Sequence, residues 1–177
     1  KQKIFFVSNQ HINKKNHILE KNFFKIKSRN FNILIGIGNI NKRQKLTKKL
    51  INKKYNFPNL ISKSAKIMKN SKFGKGNIVL PNSTILSPST FQDFNIIGTA
   101  STILHHCSIA SNCVLGGSSV VGAGTNIGSN SLIGVGSIIA SQNLNIGSNS
   151  LISSGSVVLN NIKKNSKVIG NPARKIL

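Results

Sequence analysis

The chain has 177 residues, room for one large domain or two small ones, and carries 25 Lys and Arg against two acids for a formal charge of +23. Twenty of the basic residues lie in residues 1–76, none lies between Asn77 and Asn160, and five lie in the tail. No aromatic stacking surface or recognition helix accompanies them, which argues against dedicated nucleic-acid binding and leaves compositional drift toward surface Lys and Asn, or attraction for nucleotide phosphates. No apolar run has the length of a membrane span and no export signal is visible, so the reading is a cytoplasmic protein. Its first residue is Lys1 rather than Met, so the start is read as processed, truncated or not the natural one.

Lys3–Val7 reads as a short apolar strand, followed by a polar loop over Ser8–Asn16. His11 and His17 are expected to be solvated there, with no carboxylate or Cys spaced to complete a metal site. Ile18–Lys27 is ambiguous, with Phe23 and Phe24 expected to cover a sheet face. Phe31–Ile37 reads as a buried strand ending in Gly36-Ile37-Gly38-Asn39. Ile40–Tyr55 reads as a helix with Ile40, Leu46, Leu50 and Ile51 on one side, capped by Asn39 or Asn41. Strand, glycine turn and helix can aim backbone N–H groups at a phosphate, or can be a plain tight turn. Phe57–Ile61 forms another strand. Residues 1–60 thus suggest a partial parallel α/β domain, leading into a second domain over residues 61–177.

From Ser64 to Asn160 one six-residue pattern repeats sixteen times, from SAKIMK, NSKFGK and GNIVLP to NLNIGS, NSLISS and GSVVLN, with one extra residue at Gln142. The fourth place is always apolar, from Ile67 and Phe73 through Ile103, Ile109 and Leu115 to Ile152 and Val158. Two residues earlier the side chain is small, except at Asn77, Asn95 and Leu144. A period of six fits neither a 3.6-residue helix nor an ordinary hairpin sheet. It fits a coil of short strands with one large and one small residue inward, and with Gly, Asn and Ser tolerating positive φ at the corners. Three hexads per turn give about five turns, roughly 25 Å at the strand spacing. A polar linker does not hold a branched apolar residue in register this long. Cys107 and Cys113 take the small inward place and are expected to be reduced core residues.

Such a coil, closed by Val168-Ile169-Gly170-Asn171-Pro172-Ala173-Arg174, resembles the hexapeptide-repeat acyltransferases, which fold as left-handed parallel β-helices. IGIGN, the link FPNLISKSA, the LHHC at a coil corner and GNPAR together resemble a narrower group, the sialic-acid O-acetyltransferases and the UDP-4-amino-sugar or perosamine N-acetyltransferases. The likeness runs over nearly the whole chain from Ile33. It implies a mainly β fold, a left-handed parallel β-helix with a small N-terminal α/β part. It further implies a homotrimer holding acetyl-CoA between neighbouring prisms, a sugar or nucleotide-sugar acceptor, and no metal.

His105 is the implied general base, with His106 beside it. Implied cofactor contacts are Val114, Val135, Ser154 and Arg174, with Lys163, Lys164 and Lys175 as further partners for the CoA phosphates. Gly38 and Asn39 fall at the turn that faces the sugar nucleotide. Two features depart from the family pattern. The acids that usually flank the histidine are Leu104 and His106, and a second histidine falls on Val114. These departures leave open an alternative, a catalytically decayed trimeric β-helix serving as a scaffold or binding protein. A metal-dependent hydratase needs three converging histidines, and the coil holds only His105 and His106.

Overall fold

The structure is a computed structural model describing residues 6–8, 16–26, 31–53 and 55–176. The chain forms two compact units, Lys1–Phe31 and Asn32–Leu177. The segment between residue 32 and the coil therefore packs with the coil, although the sequence suggested a boundary at residue 60.

In the first unit, β1 (Phe6–Ser8) and β2 (His17–Leu19) pair in parallel, with Phe6 opposite His17 and Ser8 opposite Leu19. A single helical turn, α1 (Glu20–Phe23), follows directly. His17, expected in a solvated loop, is instead drawn into β2 by that ladder, and its Nε2 lies 2.9 Å from Ser8 Oγ. His11 lies outside the described residues. The buried Phe23 ring packs on Phe24 at 5.7 Å and on Phe31 at 5.8 Å between centroids.

The second unit opens with a segment that is not the strand its apolar residues suggest. Phe31–Ile37 contributes one parallel bridge, Asn32 to Asn56, because no other chain runs along its edge among the described residues. Ile35 is nonetheless buried. The helix α2 (Ile40–Ile51) ends short of the expected Tyr55. Asn39, extended at φ −69° and ψ 113°, caps it by accepting the Lys42 N–H at 3.0 Å. The inner face of α2 is Arg43, Thr47 and Leu50. Fully buried, the Arg43 guanidinium donates to the carbonyls of Ile35 and of Phe94 in the coil, and Phe57 meets the Phe94 ring edge-on at 5.1 Å. Burial lowers the Arg43 pKa to about 10, which still leaves it charged at neutral pH.

Successive strands on each face of the hexad region pair in parallel one turn apart, so the chain winds round a three-faced coil of about six turns. The extra turn over the sequence estimate comes from Leu60–Ile61 at one end and Lys167–Ile169 at the other. Face I runs from Leu60–Ile61 through Ile96–Ile97, Val114–Leu115 and Leu132–Ile133 to Lys167–Ile169, and is finished by an antiparallel strand, Arg174–Lys175. Face II runs from Lys66–Ile67 through Thr102–Ile103 to Val157–Val158, and face III from Lys72–Phe73 through Ser108–Ile109 to Asn145–Ile146. Fold and register are those the hexads suggested. Thr102 lies opposite Val120, eighteen residues on, whereas Asn126 lies opposite Asn145, nineteen on, because Gln142 is absorbed in a corner.

The inward column is almost wholly dry, with Ile85, Ile97, Ile103, Ile109, Leu115, Val121, Ile133, Ile139 and Ile152 at 0 % exposure. Most small inward hydroxyls return their hydrogen bonds to the backbone, as Ser83 Oγ does to Leu80 O at 2.7 Å, while the buried hydroxyls of Ser71 and Ser119 find no partner among the described residues. The exceptional Asn77 and Asn95 use their amides likewise. Asn77 Oδ1 accepts from Asn95 N at 2.9 Å, and Asn95 Oδ1 accepts from Cys113 N at 2.8 Å. Corners turn through positive φ at Asn82, Ala100, His106, Asn112, Asn130 and Asn149. Gly76 needs its glycine for a second reason, since a Cβ there would stand 2.6 Å from the Phe94 ring.

Truncating Ile109, which has no exposed surface, opens a cavity with few ways to collapse. Ile109→Ala is expected to cost about 2–5 kcal/mol, read from the urea unfolding midpoint. Arg43→Met leaves two carbonyls unpaired beneath α2. It is expected to speed tryptic cleavage after Lys42, Lys45, Lys48 and Lys49 while the coil stays intact, read by mass spectrometry of the digest.

Candidate functional site

His105 and His106 form the corner between face II and face III, linking Thr102–Ile103 to Ser108–Ile109. Ile103 and Ile109 fix both ends of this corner in the core, and Cys107 turns inward. His106 takes the left-handed conformation at φ 59°, and its N–H donates to Pro88 O in the turn before. His105 O accepts from Gly124 N–H at 3.0 Å in the turn after. The backbone is therefore held on both sides while both imidazoles stay exposed. Their Nδ1 atoms lie 2.8 Å apart, with the rings perpendicular at 5.0 Å between centroids. Imidazole nitrogens can both donate and accept protons, which is the chemistry this corner exposes to solvent.

No carboxylate serves this corner among the described residues of the coil. Asp93 stands on a different corner, between faces III and I, where its Oδ1 accepts the Lys75 N–H at 2.9 Å. The described residues gather no group of three His, Cys, Asp or Glu that would hold a metal.

The other sequence candidates lie elsewhere on the prism. Val114 points outward from face I, half-buried between Ile96 and Leu132 on the neighbouring turns. Val135 and Ser154 occupy successive turns of the corner between faces I and II, joined by the Gly155 N–H donating to Val135 O at 2.9 Å. Val135 is 59 % exposed, unusual for a valine in so closely packed a coil. The width of face II separates that corner from His105, so one chain does not gather the two sets at one edge. Arg174 lies on the closing strand, exposed, with Lys163 and Lys164 in the corner before it. Gly38 precedes the cap of α2; a side chain built there would meet nothing within 4 Å, so the backbone at this helix start is open.

Two features escaped the sequence reading. Arg43 shares the i, i+4, i+7 stripe of Thr47 and Leu50, a spacing that could have marked it as inward despite its charge. A shallow cleft of about 380 Å³ lies on face III, lined by Ser108, Asn126, Asn145, Ser148, Asn161 and Lys163, where the outward row is polar rather than aliphatic.

Parallel two-residue strands in sixfold register, a dry aliphatic column and outward-facing corners define a parallel β-solenoid, consistent with the hexapeptide-repeat, left-handed β-helix acetyltransferases. No family model matches the chain, and no curated protein sequence matches it. Solved structures do. The acetyltransferase domain of PglB from Neisseria gonorrhoeae FA1090, in complex with acetyl coenzyme A, superimposes with a TM-score of 0.90 at 24% identity, over 97% of this chain and 85% of that one. A variant of GDP-perosamine N-acetyl transferase from Caulobacter crescentus, in complex with CoA and GDP-perosamine, gives 0.79 at 27% identity, over 82% of this chain and 69% of that one. WeeI from Acinetobacter baumannii AYE gives 0.89 at 21% identity, over 97% and 85%. At such identities the Neisseria and Acinetobacter likenesses establish the shared fold.

Both cysteines are free and buried. Burial raises the Cys113 pKa to about 11, and that of Cys107 in the same direction, so the folded chain keeps thiol protons that the unfolded chain releases from about pH 8.5. Stability is therefore expected to fall as pH rises from about 8.5 toward 11. In the double variant Cys107→Ser/Cys113→Ser that part of the loss should disappear, as urea midpoints across the range would show. Thiol reagents at pH 8 are expected to label the native protein slowly and the unfolded protein at once.

Proposed function

We propose that this protein transfers the acetyl group of acetyl-CoA to the amine of a nucleotide-linked amino sugar, working as a homotrimer in the cytoplasm. The observation that carries the reading is the exposed His105 imidazole, set at a fixed corner of a coil whose shape is shared with acetyltransferases bound to acetyl-CoA or CoA. No helix among the described residues is long and apolar enough to cross a membrane, and the soluble donor fits the cytoplasm.

In this reading the acceptor nitrogen attacks the thioester carbonyl while His105 removes its proton. The C–N bond forms, the C–S bond breaks, and the proton passes to the departing sulfur to give free CoA. A backbone N–H beside the carbonyl steadies the negative oxygen. Val114, Val135 and Ser154 line the donor, Arg174, Lys163 and Lys164 face its phosphates, and Gly38 and Asn39 offer an open helix start to the nucleotide.

The homotrimer rests on two observations. The His105 corner and the Val135–Ser154 corner stand apart on one prism, so a second copy is what would bring them to one groove. Face I also presents an aliphatic outward row of half-buried residues, Ile96, Val114, Leu132 and Leu151, whereas the outward row of face III is Thr90, Ser108, Asn126 and Asn145. An unpaired aliphatic face suits another protein surface.

His105→Ala is expected to abolish CoA release with an amino-sugar nucleotide while leaving acetyl-CoA binding by calorimetry intact. Undiminished turnover would remove His105 from its role, and a wild-type protein that binds no CoA would favour the decayed scaffold. Light scattering is expected to give a mass of three chains, and Leu132→Glu to shift it toward one chain with loss of activity. An active monomer would overturn the shared groove.

A further inference from the structure

The contact between His105 Nδ1 and His106 Nδ1 at 2.8 Å restricts where protons can sit. Two nitrogen lone pairs do not face each other at that distance, so one proton stands between them. One ring donates through Nδ1–H, and the other accepts at Nδ1 and carries its own proton on Nε2. Only one of the two arrangements leaves His105 with a bare Nε2.

We propose that His106 is a positioning residue: it accepts the Nδ1–H of His105, which frees His105 Nε2 to take the acceptor's proton, and it shares the charge of the imidazolium that forms. This rests on the reading of His105 as the base. When the amine proton arrives on Nε2, His105 donates from both nitrogens, and the Nδ1–H to Nδ1 bond becomes charge-assisted. His106 thereby stands in for an acid with a neutral acceptor.

The surroundings do not compete for this task. The turns stacked on the corner end in Ser87–Pro88 on one side and Ala123–Gly124 on the other, neither with an ionisable side chain. Cys107 turns inward with its thiol on Gly122 O at 3.3 Å, Lys69 stands two turns away along the same corner, and Asp93 belongs to another corner.

The corner also makes the test clean. Ala100 already holds φ 56° at a comparable corner, and Asn112 and Asn130 hold 62° and 58°, so His106→Ala and His106→Asn place residues that this coil accepts. Long-range proton–nitrogen NMR at neutral pH reads the tautomers without any substrate. The expected wild-type pattern is His105 protonated on Nδ1 and His106 on Nε2. His106→Asn, whose side-chain oxygen can accept, should keep the His105 pattern, and His106→Ala should lose it. In turnover, His106→Ala is expected to lower kcat about tenfold with the KM for acetyl-CoA unchanged. The acid limb of kcat/KM should move down, and His106→Glu should move it up. His105 protonated on Nε2 in the wild type, or a tautomer and pH profile unmoved in His106→Ala, would overturn the proposal. The expected tautomers with no turnover of any amino-sugar nucleotide would support the pairing and overturn the acetyltransferase reading instead.

Discussion

The bond on which this molecule depends is the backbone hydrogen bond from one turn to the next. Ile78 N donates to Asn95 O, Ile96 N to Cys113 O and Val114 N to Ser131 O, and the same relation recurs on all three faces. Each bond requires the chain to return to the same place after three flat sides, and that return is possible only if every side has equal length and an inward side chain of matching bulk. Aliphatic residues at the fourth place supply the bulk, and serine, threonine or cysteine two places earlier supplies the room. A parallel pair of two-residue strands has little stability alone. The stack holds because the dry column and the ladder enforce each other.

That constraint also decides where chemistry can be placed. On a side, every second residue is committed to the core and its neighbour to the turn above. At a corner the backbone is gripped by the turns before and after, but the side chain is free. His105 and His106 occupy such a place, with backbone bonds to Pro88 and Gly124 and exposed rings. A backbone held this firmly fixes where the two rings stand without burying them.

The coil was legible in the sequence because its signal is a period, and a period survives any choice of surface residue. The inward positions from Val79 to Val158 and the insertion at Gln142 followed from spacing and residue type, and Asn39 was one of the two caps that residue type offered. Where the sequence misled, a tertiary partner had changed a residue's usual meaning. Phe31–Ile37 has the composition of a strand but, among the described residues, no strand beside it; only Ile35 is buried, its carbonyl held by Arg43 of α2, and Leu34 stays exposed. Arg43 carries a charge that suggests the surface, yet two carbonyls, one of them fifty-one residues away, take it inside. His17 was read from its polar neighbours and was decided by pairing with Phe6. At the candidate site, the resemblance carried by LHHC singled out His105, not the period itself. The ring-to-ring contact with His106 depends on side-chain torsions at a left-handed corner, which no sequence pattern encodes.

A ladder that repeats without limit has two open ends, and each is a template for another copy to extend it into a fibre. The antiparallel strand Arg174–Lys175 runs against Lys167–Ile169 and reverses the chain direction at the last rung of face I. An incoming parallel strand finds neither matching polarity nor a neutral edge there, only two like charges. The short closing strand thus acts as a terminator of polymerisation, keeping a self-similar structure at a finite length.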